Sequence, residues 1–334
     1  MTRTMRIAIY PEAGRLELQT RPIPAPGENQ VLVRVAMCGV CSTDLGALRG
    51  FVPKKYPYSP GHEFCGRVER LGSKVQEFQD GQSVVINPNL GCGECRYCQA
   101  GNPNLCDFLK SRSIKSNGGF AEYVALDAKM VHAMPAGLSE ALAVLVEPFA
   151  CALHVARTAE AVRPVRLAVF GAGMLGILTV LALKKPNRQI VLIEPNDTRR
   201  DQARTLLGVP TLTTEQLTNS EWFNTIDAAV DCSGRVEAVS QAIHALGKGG
   251  RLVLAGLVGI AQNTPLPFVE ITVKQLELIG VWLYPDIFQE AIQLVLRHRE
   301  TLQALRTEVF SLEDIEAAFA RATQPDVNKV LVKP

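Results

Sequence analysis

The segment from Gly171 to Gly176 constrains the fold of this chain more than any other feature. It reads Gly-Ala-Gly-Met-Leu-Gly, a G-x-G-x-x-G pattern, between an apolar strand-like run and an apolar helix-like run. In this context the first glycine permits a tight turn, the second lets the backbone approach a pyrophosphate, and the third lets the helix pack closely on the strand. The segment predicts a dinucleotide site at the helix N-terminus, with contacts from Gly171, Gly173, Met174, Leu175 and Gly176.

An acidic residue at the end of the next strand-like run predicts which dinucleotide binds. Glu194 follows Gly176 by eighteen residues, where a carboxylate accepts hydrogen bonds from the ribose hydroxyls of the adenosine. Its charge repels a ribose 2′-phosphate, so we predict NAD rather than NADP. The alternative is that Arg199 and Arg200 bind such a phosphate, although charges on a helix surface are more typical of a solvated face. Arg199 remains a candidate cofactor contact.

The rest of the chain predicts an α/β protein of two domains. Its 334 residues exceed what a single hydrophobic core ordinarily serves. Residues 1–151 alternate short strand-like runs with Pro and Gly clusters, which favours a β-rich, partly barrel-like domain. Residues 152–283 alternate strand and helix, which favours a doubly wound parallel sheet. Residues 284–334 are predicted to form two amphipathic helices, the second beginning at Ser311, and a terminal strand.

Charge and hydropathy exclude several classes of partner. A net charge of +2 does not steer the chain to nucleic acid or to an anionic lipid surface. No uncharged apolar run reaches the ~18 residues of a membrane span. The N-terminus lacks the apolar region of a secretory signal, so we expect a cytoplasmic protein that acts on a small molecule. Nine cysteines, an odd number, favour reduced thiols over disulfides.

Four of the cysteines have the spacing of a metal site. Within residues 91–107 they are arranged as C-x2-C-x2-C-x7-C. Four thiolates complete a tetrahedral zinc site and leave no position for a substrate, so the predicted site is structural. An iron–sulfur cluster also takes four thiolates and is the alternative that spacing leaves open. The predicted ligands are Cys92, Cys95, Cys98 and Cys106.

A second group of polar side chains follows strand-like runs in the first domain. Residues 38–44 read Cys-Gly-Val-Cys-Ser-Thr-Asp, and residues 61–65 read Gly-His-Glu-Phe-Cys. Taken singly, a cysteine or histidine in such a position is more typical of core packing. Taken together, they supply a thiolate, an imidazole and carboxylates, which are ligands that zinc accepts.

These two segments, the cysteine group, Glu147 and the glycine pattern, in this order, resemble the zinc-containing medium-chain dehydrogenase/reductases. The glutamate at 147 resembles the polyol dehydrogenase branch of that family. The resemblance implies a GroES-like catalytic domain, to which residues 284–334 return, and a Rossmann NAD-binding domain. It also implies a second, catalytic zinc ion, hence two per chain, and oxidation of a secondary alcohol, whether polyol, cyclic or other, to the ketone. Such enzymes are symmetric oligomers, so a homodimer or homotetramer is expected.

The resemblance assigns a role to each residue of the catalytic group. The catalytic zinc ligands are Cys41, His62 and either Glu63 or Glu147. Asp44 hydrogen-bonds His62 and fixes its tautomer, and Thr43 carries the alcohol proton towards solvent. The metal is needed because hydride leaves an alkoxide more easily than an alcohol, and zinc stabilises the alkoxide near neutral pH.

The sequence constrains the substrate less than it constrains the cofactor and the metal sites. Leu283 stands where polyol dehydrogenases of this family often have an arginine, which favours a less polar secondary alcohol or a cyclic one. Phe51 and Tyr58 are candidate aromatic walls of the substrate site, with core packing the alternative. Packing is also the interpretation for the remaining thiols and for one histidine: Cys38, Cys65, Cys151, Cys232 and His154.

Two other functions remain as alternatives. A metal-free NADPH quinone or enoyl reductase of the same fold needs neither Cys41, nor His62, nor the four-cysteine group. A non-catalytic dinucleotide-binding protein is expected to have lost a ligand or Thr43. The sequence shows neither loss.

Overall fold

A computed structural model describes residues 3–50, 56–111, 118–160, 165–257 and 266–334. The strands are β1 Thr4–Ile9, β2 Glu17–Pro22, β3 Gln30–Gly39, β4 Glu63–Leu71, β5 Ser83–Ile86, β6 Asn89–Leu90, β7 Lys110–Ser111, β8 Tyr123–Asp127, β9 Val131–Ala133, β10 Arg166–Phe170, β11 Gln189–Ile193, β12 Thr211–Leu212, β13 Ile226–Asp231, β14 Leu246–Leu254, β15 Glu277–Gly280, β16 Thr307–Ser311 and β17 Lys329–Lys333. The helices are α1 Ser42–Leu48, α2 Arg96–Gln99, α3 Glu140–Ala143, α4 Val146–Glu160, α5 Met174–Leu183, α6 Asp197–Leu207, α7 Thr214–Thr218, α8 Val236–Ala245, α9 Phe268–Val273, α10 Phe288–Arg297, α11 Arg299–Gln303 and α12 Ile315–Arg321. The chain divides into two compact units, Met1–Glu147 with Pro285–Pro334, and Pro148–Tyr284.

The first unit is built around a seven-stranded sheet. Its order is β16-β17-β3-β4-β5-β9, and β8 also pairs with β3. All of these pairs are antiparallel except β16 with β17. The central strand β3 is rich in valine and is buried along most of its length, because β-branched residues fit a pleated surface that is covered on both faces. The β-rich character predicted for this domain is thus confirmed.

A long apolar helical stretch, Glu140–Glu160, has the length and composition of a membrane span. However, 72% of its most apolar window is buried within the protein. Such burial is what the core helix of a folded domain shows, since apolar side chains there contact protein rather than lipid.

The second unit has a six-stranded sheet in which every pair is parallel. Its order, β12-β11-β10-β13-β14-β15, corresponds to 3-2-1-4-5-6 when the strands are counted along the unit. This is the doubly wound dinucleotide-binding topology, with the reversal of strand order between β10 and β13. The predicted α/β class with a Rossmann sheet is confirmed.

The prediction of a helix that begins at Ser311 is wrong. Ser311 ends strand β16, and helix α12 begins only at Ile315. The Oγ of Ser311 donates to the carboxylate of Asp314 at 2.8 Å, so the two side chains bond each other instead of capping backbone amides. Residues 307–311 alternate exposed and half-buried positions and pair with β17 along their whole length. Both observations are typical of a strand and not of a helix.

Candidate metal and dinucleotide sites

The register of two antiparallel strands brings the predicted zinc ligands together. Gly39, the last residue of β3, pairs with Glu63, the first residue of β4. Cys41 lies just beyond the end of β3, and His62 lies just before β4. Adjacent ends of antiparallel strands lie side by side, so residues separated by twenty positions in sequence face one another.

A thiol, an imidazole and a carboxylate meet at this point. One ligand atom each from Cys41, His62 and Glu63 lies within 4.8 Å of the other two. A zinc ion with bonds of about 2.0–2.3 Å to sulfur, nitrogen and oxygen fits such a group. Three protein ligands leave a fourth position of the tetrahedron for a substrate, which is the arrangement of a catalytic rather than a structural site.

Asp44 accepts hydrogen bonds from the backbone of both segments that carry the predicted ligands, one at Cys41 and one at Gly61. Its Oδ2 accepts from the amide of Cys41 at 3.1 Å, and its Oδ1 accepts from the amide of Gly61 at 3.2 Å. Oδ1 also lies 3.6 Å from Nδ1 of His62, longer than a normal hydrogen bond. Burial raises the pKa of the Asp44 carboxyl, but His62 and these amides outweigh burial and hold the pKa below its ordinary value. Asp44 is therefore a carboxylate that orients the predicted ligands.

His62 is strongly coupled to its acidic surroundings. Burial lowers the pKa of His62, whereas Asp44 and Cys41 raise it, and the net pKa lies well above its ordinary value. The site therefore favours a positive charge at its centre. Since a metal ligand must be a neutral imidazole, a bound cation would take the place of the proton.

Glu63 is held by a lysine from the other end of the chain. The Nζ of Lys329, on β17, forms an ion pair with Oε2 of Glu63 and also donates to the carbonyl oxygen of Val40 at 3.1 Å. The side chains of Lys329 and Glu63 are only 4% and 2% exposed. One buried ammonium thus ties the residue before Cys41 to the residue after His62.

The two remaining predicted members lie in different settings. The hydroxyl oxygen of Thr43 is 3.6 Å from Sγ of Cys41, so Thr43 borders the candidate metal site. Glu147 is buried in the first turn of α4 and is not a member of the Cys41, His62 and Glu63 group. Which glutamate ligates the metal stays a prediction.

The four predicted structural ligands also come together. The Sγ atoms of Cys92, Cys95, Cys98 and Cys106 lie within 4.8 Å of one another. Tetrahedral zinc with bonds of about 2.3 Å needs sulfurs about 3.8 Å apart, and Sγ of Cys92 is 4.0 Å from Sγ of Cys98. The donor set and its spacing fit a zinc ion.

Backbone amides near these four cysteines, here called the four-cysteine lobe, donate hydrogen bonds to the sulfurs. The Sγ of Cys92 accepts from the amide of Cys95 at 3.3 Å, and the Sγ of Cys106 accepts from the amides of Cys92 and Phe108 at 3.2 and 3.3 Å. Hydrogen bonds from backbone and neighbouring thiols lower the pKa of Cys95 to about 6. Amides that donate to sulfur stabilise thiolates, which are the form that binds metal.

The glycine pattern forms the turn between β10 and α5, as its spacing predicts. Gly171 has a φ of +104°, which favours glycine, and a Cβ at Gly176 would lie 1.9 Å from the carbonyl oxygen of Gly171. A Cβ at Gly173, which caps α5, would meet nothing within 4 Å. The helix N-terminus, opened by Met174 and Leu175, therefore faces open space that fits a phosphate group.

Glu194 lies beside this turn. It is buried just after β11; its Oε2 accepts from the amide of Ala172 at 2.8 Å, and its Oε1 accepts from the amide of Asn196 at 2.9 Å. Each carboxylate oxygen keeps a lone pair for a further donor, such as a ribose hydroxyl. Arg199 lies in the first turn of α6, where its amide donates to the side chain of Asn196. Its role as a cofactor contact stays a prediction.

Several residues considered in the sequence have structural partners. The thiols of Cys38 and Cys65 are buried, and burial raises the pKa of each. His154 Nδ1 lies 2.8 Å from the carbonyl oxygen of Leu283. Tyr58 packs edge-on against another core tyrosine, with ring centroids 5.2 Å apart. Phe51 lies outside the described residues.

Comparisons with known proteins identify the family. The family profile described as "Alcohol dehydrogenase GroES-like domain" matches residues 27–136, and the profile described as "Zinc-binding dehydrogenase" matches residues 175–297. The 2-dehydro-3-deoxy-L-galactonate 5-dehydrogenase of Pseudoalteromonas atlantica is 31% identical over 319 residues, which cover 92% of this chain and 93% of that protein. The chain belongs to the zinc-type medium-chain dehydrogenase/reductases.

Two further relatives agree with this assignment. The sorbitol dehydrogenase of Bacillus subtilis is 27% identical over 348 residues, covering 99% of this dehydrogenase and 97% of that protein. A crystal structure from Sinorhizobium meliloti, described as a zinc-binding dehydrogenase bound to NADP, superposes with a TM-score of 0.90 at 28% identity and covers 99% of this chain and 100% of that one. The predicted family, its polyol dehydrogenase branch and the oxidoreductase class are confirmed.

Sequence reasoning missed two buried charged residues of this dehydrogenase. Lys329 begins β17, and a lysine that begins an apolar strand is a signal that it has a buried partner. Asp231 ends β13 beside the strand that leads into Gly171, and its Oδ1 accepts from the amide and hydroxyl of Ser233 at 2.9 and 2.6 Å. It shapes a second loop at the dinucleotide edge of the sheet.

Proposed function

We propose that this chain is a zinc-dependent, NAD-linked dehydrogenase that oxidises a secondary alcohol to the ketone. The single observation that carries the proposal is the convergence of Cys41, His62 and Glu63 in a family whose members are zinc-type alcohol dehydrogenases. The four-cysteine lobe supports a second, structural zinc ion.

The catalytic metal is held by Cys41 and His62, with Glu63 or Glu147 as the third ligand. When bound there, a zinc ion would supply Lewis acidity at the alcohol oxygen, and a nicotinamide dinucleotide would supply the hydride acceptor. Thr43, beside the thiol of Cys41, relays the alcohol proton: its hydroxyl oxygen takes that proton as its own proton leaves towards solvent. Asp44 keeps the imidazole of His62 in position while this happens.

The choice of NAD over NADP rests on Glu194. Its buried carboxylate accepts from the amide of Ala172 in the glycine turn, so its charge lies where the adenosine ribose is expected. The Sinorhizobium meliloti relative binds NADP, so the cofactor is a direct test of this proposal. We expect Glu194→Gln to lower the affinity for NAD and to raise the affinity for NADP, measured for both cofactors by calorimetry.

The proposed substrate class rests on the named relatives and on one position, 283, at which this chain departs from polyol dehydrogenases. Named relatives act on sugar acids and polyols, including L-galactonate and D-altritol. This chain has Leu283 where an arginine is frequent in polyol dehydrogenases, so we propose a secondary alcohol with fewer polar groups, cyclic or open. Cys41, Thr43 and His62 serve the reaction at the alcohol carbon. The reaction itself therefore needs no further charged side chain at position 283.

We propose a homo-oligomer whose subunits meet at the β15 edge of the parallel sheet. β15 is the last strand in the described order and pairs with β14 on one side. The neighbouring helix α9 exposes Phe268, Val269 and Val273, three large apolar side chains in one short helix. A second copy, related by a two-fold axis, would cover them. Light scattering after size exclusion tests this, and a monomer contradicts it.

A cytoplasmic location is also proposed. None of the nine cysteines, all of which lie among the described residues, forms a disulfide, which fits a reducing compartment. Subcellular fractionation of the native cells measures it directly.

The decisive experiment is reduction of NAD, followed by absorbance, over a panel of cyclic, simple secondary, polyol and sugar-acid alcohols. We expect turnover of one class, loss of that turnover on chelation, and two zinc ions per chain by metal analysis. Cys41→Ser should lose turnover and keep dinucleotide binding, because Cys41 does not belong to the Rossmann unit. Full activity of Cys41→Ser, or NADPH-dependent quinone reduction that survives chelation, would refute the zinc mechanism.

A further inference from the structure

A cleft in the second unit lies away from the dinucleotide turn. Its volume is about 700 Å³, within the range that small-molecule sites occupy. It is bordered by the end of α5, the start of β11, the turn after α6 and the loop before β13. These segments lie at the amino ends of the parallel strands, whereas Gly171 and Glu194 follow their carboxyl ends.

The separation between the two regions is set by the sheet. β11 begins at Gln189, which lines the cleft, and ends at Ile193, directly before Glu194. Five residues of extended strand span about 17 Å. A molecule in the cleft and a dinucleotide at the glycine turn would therefore not compete for the same space.

One side of the cleft carries an excess of positive charge. Lys184, Lys185 and Arg188 line it, and Glu221 is the acidic residue among the lining positions. Lys185 and Arg188 share a single carboxylate, that of Glu160. Nζ of Lys184 donates to a backbone carbonyl oxygen, that of Leu207, at 2.8 Å, and no carboxylate among the described residues forms an ion pair with it. Three cations thus face two carboxylates, so the cleft favours an anion.

The other side is apolar and aromatic. Trp222, 9% exposed, lines the cleft together with the buried side chains of Ile190 and Val209. The guanidinium of Arg166 lies 4.5 Å from the centroid of the Trp222 ring, and Arg166 also donates to the carbonyl oxygen of Glu221 at 3.0 Å. The Nε atom of Arg166 is buried and has no hydrogen-bond partner among the described residues. Arg166 is not itself a lining residue; its guanidinium holds the indole in place, and the indole provides an apolar wall that suits a flat apolar group.

We propose that this cleft is a second ligand site, which binds a small organic anion through two contacts. The carboxylate or phosphate of the ligand contacts Lys184 and Lys185, and its flat apolar body packs against Trp222. The site acts independently of the dinucleotide, because the two lie at opposite ends of the strands.

Phenyl phosphate is the probe for a calorimetric titration of the full chain, done without dinucleotide and with saturating NAD. We expect saturable binding with the same affinity in both titrations. Inorganic phosphate, which has the charge alone, and phenol, which has the ring alone, should each bind more weakly. The double variant Lys184→Glu/Lys185→Glu should weaken phenyl phosphate about tenfold or more, since two attractions become two repulsions. The matched variant Lys248→Glu, an exposed change of the same sign in the same unit, should bind as the original protein does.

Each other outcome counts against the proposal. Competition between phenyl phosphate and NAD would place the anion in the dinucleotide site. If inorganic phosphate bound as tightly as phenyl phosphate, the aromatic wall would have no role, and if phenol did so, the lysines would have none. Unchanged binding by the double variant, or no saturable binding, would overturn the site itself. Retained NAD affinity in the double variant shows that the unit is folded. If NAD fails to bind even the original protein, the proposed function fails while the titration without dinucleotide still decides on the cleft.

Discussion

Replacing Lys329 by methionine tests how the candidate metal site is held together. The substitution keeps the length of the side chain and removes the ammonium that faces Glu63 and the carbonyl oxygen of Val40. Since both members of the ion pair are almost fully buried, the carboxylate left behind has no access to water. Removing one partner of a buried pair costs about 3–5 kcal/mol, because an uncompensated charge remains in a medium of low dielectric constant.

The assay is urea denaturation of the metal-free protein, followed by circular dichroism. The expected loss of about 3–5 kcal/mol in the free energy of unfolding corresponds to roughly 6–20 °C in melting temperature for a unit of this size. Lys333→Met is the matched control, because Lys333 belongs to the same strand but is exposed, and it should cost less than about 0.5 kcal/mol. The double variant Glu63→Gln/Lys329→Met should recover most of the loss, since neither charge then remains.

A zinc titration extends the same experiment. If Glu63 ligates the metal, saturating zinc compensates its charge and should reduce the cost of Lys329→Met. If Glu147 is the ligand instead, the cost should persist in the zinc-loaded protein. The reasoning on the buried pair is refuted if Lys329→Met costs no more than Lys333→Met in the metal-free protein.

Three further predictions concern other parts of the molecule. Gly176→Ala should destabilise the second unit, because its Cβ would lie 1.9 Å from the carbonyl oxygen of Gly171, whereas Gly173→Ala should fold normally and weaken NAD binding; calorimetry and thermal unfolding compare the two. Burial lowers the pKa of His132 below its ordinary value of 6.5, so the unfolded chain binds the proton more tightly and stability falls as the pH drops through that value. His132→Phe should therefore flatten the dependence of unfolding free energy on pH between about pH 7 and pH 5, by up to about 1.4 kcal/mol per pH unit; an unchanged slope would exclude His132 as a source. Cys106→Ser should lower bound zinc from about two ions to about one per chain, since it breaks a four-thiolate site, and metal analysis that still finds two would contradict that assignment.

Local patterns were sufficient for much of this fold. The turn at Gly171 lies between a strand and the helix Met174–Leu183, and the strand Gln189–Ile193 ends directly before Glu194, as the sequence predicts. In each case the evidence lies within a few residues, because strand, glycine turn and helix are consecutive. The four-cysteine lobe is predictable for the same reason, since its ligands fall within one short segment.

Contacts between distant segments were not predictable in the same way. Lys329 and Glu63 are 266 positions apart, and they meet because β17 pairs with the end of β3, with Leu331 opposite Gly39. That register depends on the packing of the whole sheet. The misassigned helix at Ser311 has the same origin, because pairing with β17 outweighed a local capping signal.

The buried charges around the candidate metal site explain why a lysine belongs there. Cys41 as a thiolate, Asp44 and Glu63 supply three negative charges, and Lys329 supplies one positive charge. A bound divalent cation would bring this set to neutrality, which a low-dielectric environment favours because Asp44 and Glu63 are buried and Cys41 is half-buried. Without Lys329 the same set keeps one uncompensated negative charge even when the metal is bound. The ammonium is therefore part of the charge balance of the candidate metal site: its place at the start of an apolar terminal strand signals a buried partner, but the local sequence does not identify Glu63 as that partner.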